Sequence, residues 1–172
     1  NLAKEKGYQS LVIDQRDHLR VDFNYTVDFA PKLDSYPVSH PFYEGSYKFR
    51  KHLYEIIGGM NKEEVLCAQE LDRLPQVKTW IRNLERKPQT SFWLPTSSDR
   101  FYPDFVAELT DGRLLVVEYK GQYISDTADT REKCIIGKLW EELSNGEGIF
   151  IMAVAKDNKG RGLKAQFSDM LK

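Results

Sequence analysis

The sequence predicts an α/β fold: a mixed β-sheet flanked by helices, with a β-rich extension at the N-terminus. Three observations predict it. Two apolar, β-branched and aromatic runs flank Thr110-Asp111-Gly112-Arg113, and Asp-Gly between such runs is a strong hairpin signal. Helical repeats precede and follow that hairpin, and a wholly apolar run from Ile149 to Ala155 comes after the second repeat. Near the N-terminus, Leu19-Arg20-Val21-Asp22-Phe23-Asn24-Tyr25-Thr26-Val27-Asp28-Phe29 alternates as a half-buried antiparallel strand does.

The bounds are those of one domain, or one domain with an extension. The chain has 172 residues, 41% hydrophobic and 30% charged, which suits a globular core and excludes both disorder and a membrane-spanning protein. No apolar run reaches transmembrane length. A net charge of −1 gives no global attraction to nucleic acid, so DNA binding would require a local basic patch. Two cysteines, Cys67 and Cys134, suit reduced thiols in the cytoplasm, and the three histidines supply no zinc spacing. The chain opens on Asn1 without a signal-peptide pattern, as expected of a fragment of something larger.

In chain order, residues 1–30 read as strands around a polar turn, and residues 31–45, with Pro31, Pro37 and Pro41, as a connecting loop. Tyr47-Lys48-Phe49-Arg50-Lys51-His52-Leu53-Tyr54 interleaves bases and aromatics. It suits a nucleic-acid contact, or a strand or short helix with its aromatics turned inward and its bases solvated. Gly58-Gly59 sets the expected boundary, with residues 1–59 an extension or linker and residues 60–172 the main domain. A helix is expected over residues 62–74, capped by Asn61 and stopped at Pro75. Its apolar stripe is Cys67, Ala68, Leu71 and Leu74, and Glu64 falls within that stripe. A carboxylate there faces the sheet, though the helix macrodipole also favours an acid in a first turn.

Residues 77–84 read as a strand with Val77, Thr79, Ile81 and Asn83 on one face and Lys78, Trp80, Arg82 and Leu84 on the other. Arg82 suits a phosphate contact or a surface base beside Trp80. Residues 91–95 form a short strand, and residues 96–100 a loop into the hairpin. A second helix is expected over residues 130–143, with Ile135, Ile136, Leu139, Trp140 and Leu143 as its core stripe and Lys133 off it, facing the cleft or solvent. Residues 149–155 suit an interior strand, and residues 163–171 a short amphipathic helix after a basic loop.

The chemistry concentrates on the hairpin. Side chains alternate along its second strand, so Glu118 and Lys120 share a face and Val117 and Tyr119 the other. Charges in a strand as apolar as Leu114-Leu115-Val116-Val117 are costly unless they are paired or bind something. Asp104, on the partner strand, completes a carboxylate pair with Glu118, and two carboxylates with a lysine make a hard-cation site beside a phosphate-facing charge. The plainer alternative makes Asp104 a turn residue and Glu118-Lys120 a surface salt bridge.

Pro103-Asp104 with Glu118-Tyr119-Lys120 resembles the PD-(D/E)xK nuclease signature. The surrounding Val77-Lys78-Thr79-Trp80-Ile81-Arg82-Asn83, Ser91-Phe92-Trp93-Leu94, Phe101-Tyr102-Pro103-Asp104-Phe105, Asp111-Gly112-Arg113 and Ile136-Gly137-Lys138-Leu139-Trp140-Glu141 resemble the C-terminal endonuclease region of type III restriction Res subunits and related helicase-nucleases. The resemblance spans about residues 40–155 and implies a restriction-endonuclease-like core that cuts DNA with Mg²⁺, for which Mn²⁺ can substitute. It implies Asp104, Glu118 and Lys120 as catalytic residues, and the Tyr119 carbonyl and Glu64 as further metal ligands. Arg82, Arg100 and Lys133 are then the candidate DNA contacts. The implied partners are an ATP-dependent helicase or translocase and a methyltransferase or specificity subunit. This chain lacks a Gly-x-x-x-x-Gly-Lys-Ser/Thr phosphate loop of its own. Two other expectations stand beside this one: another nuclease-fold DNA enzyme such as a junction resolvase, and a non-catalytic docking domain with the same fold.

Overall fold

The computed structural model describes residues 35–122 and 126–172. The strands expected in residues 1–30 lie outside the described residues. The fold is α/β, as predicted: a four-stranded mixed sheet with helices on both faces.

Helix α1 (Lys62–Arg73) forms where the cap signals place it. Asn61 Oδ1 accepts the Glu64 amide at 2.8 Å while Glu64 Oε2 accepts the Asn61 amide at 2.8 Å, a reciprocal capping box that satisfies two orphan donors. Cys67, Ala68 and Leu71 on its inner stripe are fully buried. Strands β1 (Val77–Arg82), β4 (Phe105–Leu109), β5 (Leu114–Tyr119) and β6 (Gly148–Ala153) lie side by side in the order β1-β4-β5-β6. β4 is antiparallel to both β1 and β5, while β6 runs parallel to β5 after the crossover helix α2 (Ala128–Leu143). Strands β2 (Leu94–Pro95) and β3 (Arg100–Phe101) form a separate two-stranded ribbon, and α3 (Leu163–Met170) closes the chain.

Two apolar clusters sandwich the sheet. One joins Cys67, Ala68 and Leu71 of α1 and Phe167 of α3 to Trp80, Phe105, Leu115 and Val117. The other joins Ile136 and Trp140 of α2 to Ile81, Val106, Val116 and Phe150. α2 approaches β6 closely because residue 137 is glycine: a Cβ there would sit 2.3 Å from the Phe150 ring. The hairpin turns through Thr110, Asp111 and Gly112, with Leu109 amide to Arg113 carbonyl at 2.8 Å closing it. Gly112 has φ +89°, in the left-handed region that a three-residue hairpin loop uses at its end.

Four expectations change. A β-bulge between Val77 and Thr79 breaks the simple alternation of β1, so Val77 joins Trp80 in the α1-side cluster while Ile81 packs against α2. The apolar run 149–155 forms β6 at an edge of the described sheet, not in its interior. It is apolar throughout because helices cover both its faces. Its open edge is blocked by side chains: Ser144 Oγ accepts the Gly148 amide at 2.9 Å, Lys138 Nζ donates to the Phe150 carbonyl at 2.9 Å, and Gln166 Nε2 donates to the Val154 carbonyl at 2.8 Å. On α2, Leu143 is exposed, and the inward stripe runs through Thr130, Glu132, Ile136, Gly137 and Trp140.

The fourth concerns residues 47–54, which form neither a strand nor a helix. They run beside β1 with one parallel bridge, His52 to Trp80. The Asp72 carboxylate of α1 accepts the Lys51 amide and Trp80 Nε1–H at 2.9 and 2.8 Å, and the Arg50 amide at 3.1 Å. Phe49 packs edge-on against Trp80 at 5.1 Å. Residues 47–54 therefore dress the outer edge of β1, across the boundary expected at residue 59.

Candidate active site at the ends of β4 and β5

Three strand ends meet where Asp104, Tyr119, Glu118 and Lys120 sit. Asn83, buried at the end of β1, holds the approach to Asp104. Its Nδ2 donates to the carbonyls of Phe92 and Pro103 at 2.8 and 2.9 Å, and its Oδ1 accepts the Phe92 amide at 3.0 Å. The Asn83 amide donates to the Asp104 carbonyl at 2.9 Å. Asp104 is thereby fixed by its backbone before its side chain acts.

The Asp104 carboxylate has a partner on each oxygen. Oδ1 accepts Arg82 Nη1 at 2.7 Å, and Oδ2 accepts the Tyr119 amide at 2.8 Å. Arg82 also donates Nη1 to the Asp104 carbonyl at 3.0 Å and Nη2 to Glu64 Oε1 at 3.3 Å, with its guanidinium 5.3 Å from the Phe105 ring centre. Burial opposes the charge on Arg82, but Asp104 and then Glu64 outweigh it and hold its pKa above the usual value.

Glu118 and Lys120 share a face, as the alternation predicts, with Lys120 Nζ 2.7 Å from Glu118 Oε1. Glu118 is 6% exposed. Its carboxyl is pushed up to about 7, first by burial and then by the like charge of Asp104, with Lys120 and Lys133 opposing. The ion pair therefore does not fully compensate Glu118: burial and a second carboxylate win over a lysine at contact distance.

The remaining candidates divide. Lys133 on α2 feels the Glu118 charge, but its Nζ lies 2.8 Å from Asp129 Oδ2 and 5.5 Å from the Phe101 ring centre. Arg100 stacks over Trp93 at 4.8 Å, exposed and outside the Asp104-Arg82-Glu64 cluster. Glu64 comes to the cluster through Arg82, and its other oxygen serves the helix cap. The face of β1 that carries Trp80 and Arg82 packs toward α1 and brings Arg82 to Glu64; the alternation groups Arg82 with Trp80 but does not name its partner. The buried Asn83 bracket has no local sequence signature, because a single Asn after a strand does not show which distant carbonyls it will hold.

Among the described residues, no group of three or more His, Cys, Asp and Glu is arranged to hold a metal ion. The donor set is smaller: the carboxylates of Asp104 and Glu118, at the Tyr119 peptide whose amide Asp104 accepts. Each carboxylate oxygen has two lone pairs, so the oxygens of Asp104 retain acceptor capacity beyond their present bonds. That set fits a small hard cation that keeps several waters, as Mg²⁺ does, and does not fit an all-protein cage.

The fold and cluster define an α/β protein with paired carboxylates and lysines at one end of a mixed sheet. No protein-family model, curated protein or solved structure matches the chain. No helix among the described residues is long and apolar enough to cross a membrane.

Proposed function

We propose that the chain is a Mg²⁺-dependent endonuclease domain that hydrolyses DNA phosphodiester bonds. We read it as the cleavage module of a type III restriction or related helicase-nuclease system in the cytoplasm, acting with a translocase and a methyltransferase or specificity subunit. One observation carries this reading: Glu118 is buried beside a second carboxylate, Asp104, with Lys120 in contact. A buried carboxylate beside a second one is costly in a structural role and useful where a cation and an anionic substrate must meet.

Asp104, Glu118 and the Tyr119 carbonyl are the groups that would hold Mg²⁺, with Mn²⁺ as substitute. When bound, that ion polarises a phosphoryl oxygen and lowers the pKa of a water it carries. Lys120 orients the attacking water and stabilises the negative charge that grows on the phosphoryl oxygens, a role suited to a compact ammonium. Pairing with Glu118 sets the Lys120 ammonium on the same face as the carboxylates. Lys133, one helix away, adds positive potential on the Glu118 side.

Cleavage of supercoiled plasmid with Mg²⁺ or Mn²⁺ tests the reading, with Lys120→Ala beside the wild type. Loss of about 10²-fold or more in rate with Mn²⁺ affinity retained is expected, by analogy with removal of a charge-stabilising donor. Equal rates for the two proteins would refute the mechanism. A second reading, a non-catalytic docking domain, is favoured by one feature: Arg82 already neutralises Asp104 and Glu64. It predicts no Mn²⁺ binding by calorimetry.

A further inference from the structure

We infer that Arg82 is a positioning residue for Asp104, and that Glu64 acts on the site through Arg82, not as a metal ligand. This deepens the nuclease reading and rests on it for its functional meaning. The geometry comes from three segments far apart in sequence. Arg82 grips Asp104 twice, at Oδ1 (2.7 Å) and at the main-chain carbonyl (3.0 Å), and reaches Glu64 Oε1 at 3.3 Å. Its side chain is 14% exposed and lies over Phe105, so it offers little of its charge to an external phosphate.

The fork fixes the rotation of the Asp104 carboxylate. With Oδ1 on Arg82, Oδ2 is left to the Tyr119 amide, and the carboxylate is anchored at both ends before any cation arrives. Glu64 gives Oε2 to the Asn61 amide and Oε1 to Arg82. It does not converge with Asp104 and Glu118, because among the described residues no three such side chains are arranged around one metal position. As a counter-ion it holds the second arm of the fork, which makes it a partner of Arg82 at one remove from the site.

Hydrogen exchange reads this directly in the metal-free protein. The Tyr119 amide is bonded to Asp104, whereas the next amide, Lys120, is bonded to the Ala153 carbonyl at 2.9 Å across the β5–β6 ladder. In Arg82→Met, the Tyr119 amide is expected to exchange about 10-fold faster, one charge-assisted hydrogen bond's worth, with Lys120 unchanged. Arg82→Lys, which keeps charge but loses the fork, should fall between and decides the matter if Arg82→Met does not fold. Unchanged Tyr119 exchange, or equal acceleration at Tyr119 and Lys120, overturns the positioning role. For Glu64, calorimetry with Mn²⁺ on Glu64→Gln, Arg82→Lys and the double variant is expected to show that any shift in Kd from Glu64→Gln largely disappears once Arg82 is lysine, because an effect carried by Arg82 is not additive with the loss of Arg82. A shift as large in the Arg82→Lys background as in the wild type makes Glu64 a ligand and overturns that half. If the wild type binds no Mn²⁺, the nuclease reading fails, and the exchange at Tyr119 still decides the role of Arg82.

Discussion

Asp104 stands in for the main chain opposite Tyr119. The register of β4 on β5 sets Phe105 against Val117, and extending it by two residues sets Pro103 against Tyr119. Pro103 has no amide to give, and its carbonyl goes to Asn83 Nδ2 at 2.9 Å. The Tyr119 amide is met instead by Asp104 Oδ2 at 2.8 Å. A proline just before the aspartate thus ends the ladder and lets a carboxylate occupy its last rung.

Asp104→Asn is expected to be more disruptive than its size suggests. A carboxamide has one acceptor oxygen, so either Arg82 or the Tyr119 amide would face an NH₂ group. We expect a loss of about 1–3 kcal/mol in urea denaturation and at least about 10-fold weaker Mn²⁺ binding by calorimetry. A variant as stable as the wild type would show that the two bonds contribute nothing.

Asn83→Leu keeps the branching at Cγ but removes three buried hydrogen bonds, those to the Phe92 amide and to the Phe92 and Pro103 carbonyls. Three buried hydrogen bonds at about 1 kcal/mol each predict a loss of roughly 3 kcal/mol in chemical denaturation. Cleavage should fall as well, because Pro103 leads directly into Asp104. Full stability in Asn83→Leu would contradict this role.

His52 makes the fold acid-sensitive. Its Nε2 accepts the Arg82 amide at 3.0 Å, and its Nδ1 lies 2.8 Å from the Tyr54 carbonyl, which defines a neutral ring carrying its proton on Nδ1. Burial lowers its pKa to about 4, against raising contributions from the Tyr54 carbonyl and from Asp72; Tyr36, Tyr54 and Arg82 also surround it. The folded state therefore binds fewer protons than the unfolded state between about pH 4 and 6.5, so stability falls as pH falls through that window. Glu118 has the opposite sign over an overlapping window, because a raised carboxyl loses stability as pH rises. The comparison that isolates His52 is wild type against His52→Gln in urea at pH 7 and pH 5. Wild type should lose about 2 kcal/mol more than the variant on acidification. Parallel losses would refute it.

Gly137→Ala tests the packing of α2 on the sheet. The added methyl would meet the fully buried Phe150 ring, so helix propensity, which favours Ala by about 1 kcal/mol, is outweighed by overpacking of about 1–3 kcal/mol. A lower melting temperature is expected, and a higher one would mean that Phe150 yields freely.

The sequence by itself determined what is local. Asn61 and Glu64 wrote the start of α1, Asp111-Gly112 the hairpin turn, and the two-residue period of β5 placed Glu118 and Lys120 on one face, where they form an ion pair. Each depends on residues within a few positions of one another, where backbone geometry fixes which side chains meet. Tertiary structure decided the rest. The bulge in β1 moved Val77 across the sheet, and β6 took an edge of the described sheet that Ser144, Lys138 and Gln166 close. Arg82 turned inward to join Glu64 and Asp104, which come from separate segments of the chain. A pattern of apolar residues reports which face is buried, but not which counter-ion waits there, because the partner of a buried charge is set by whichever distant segment folds against it.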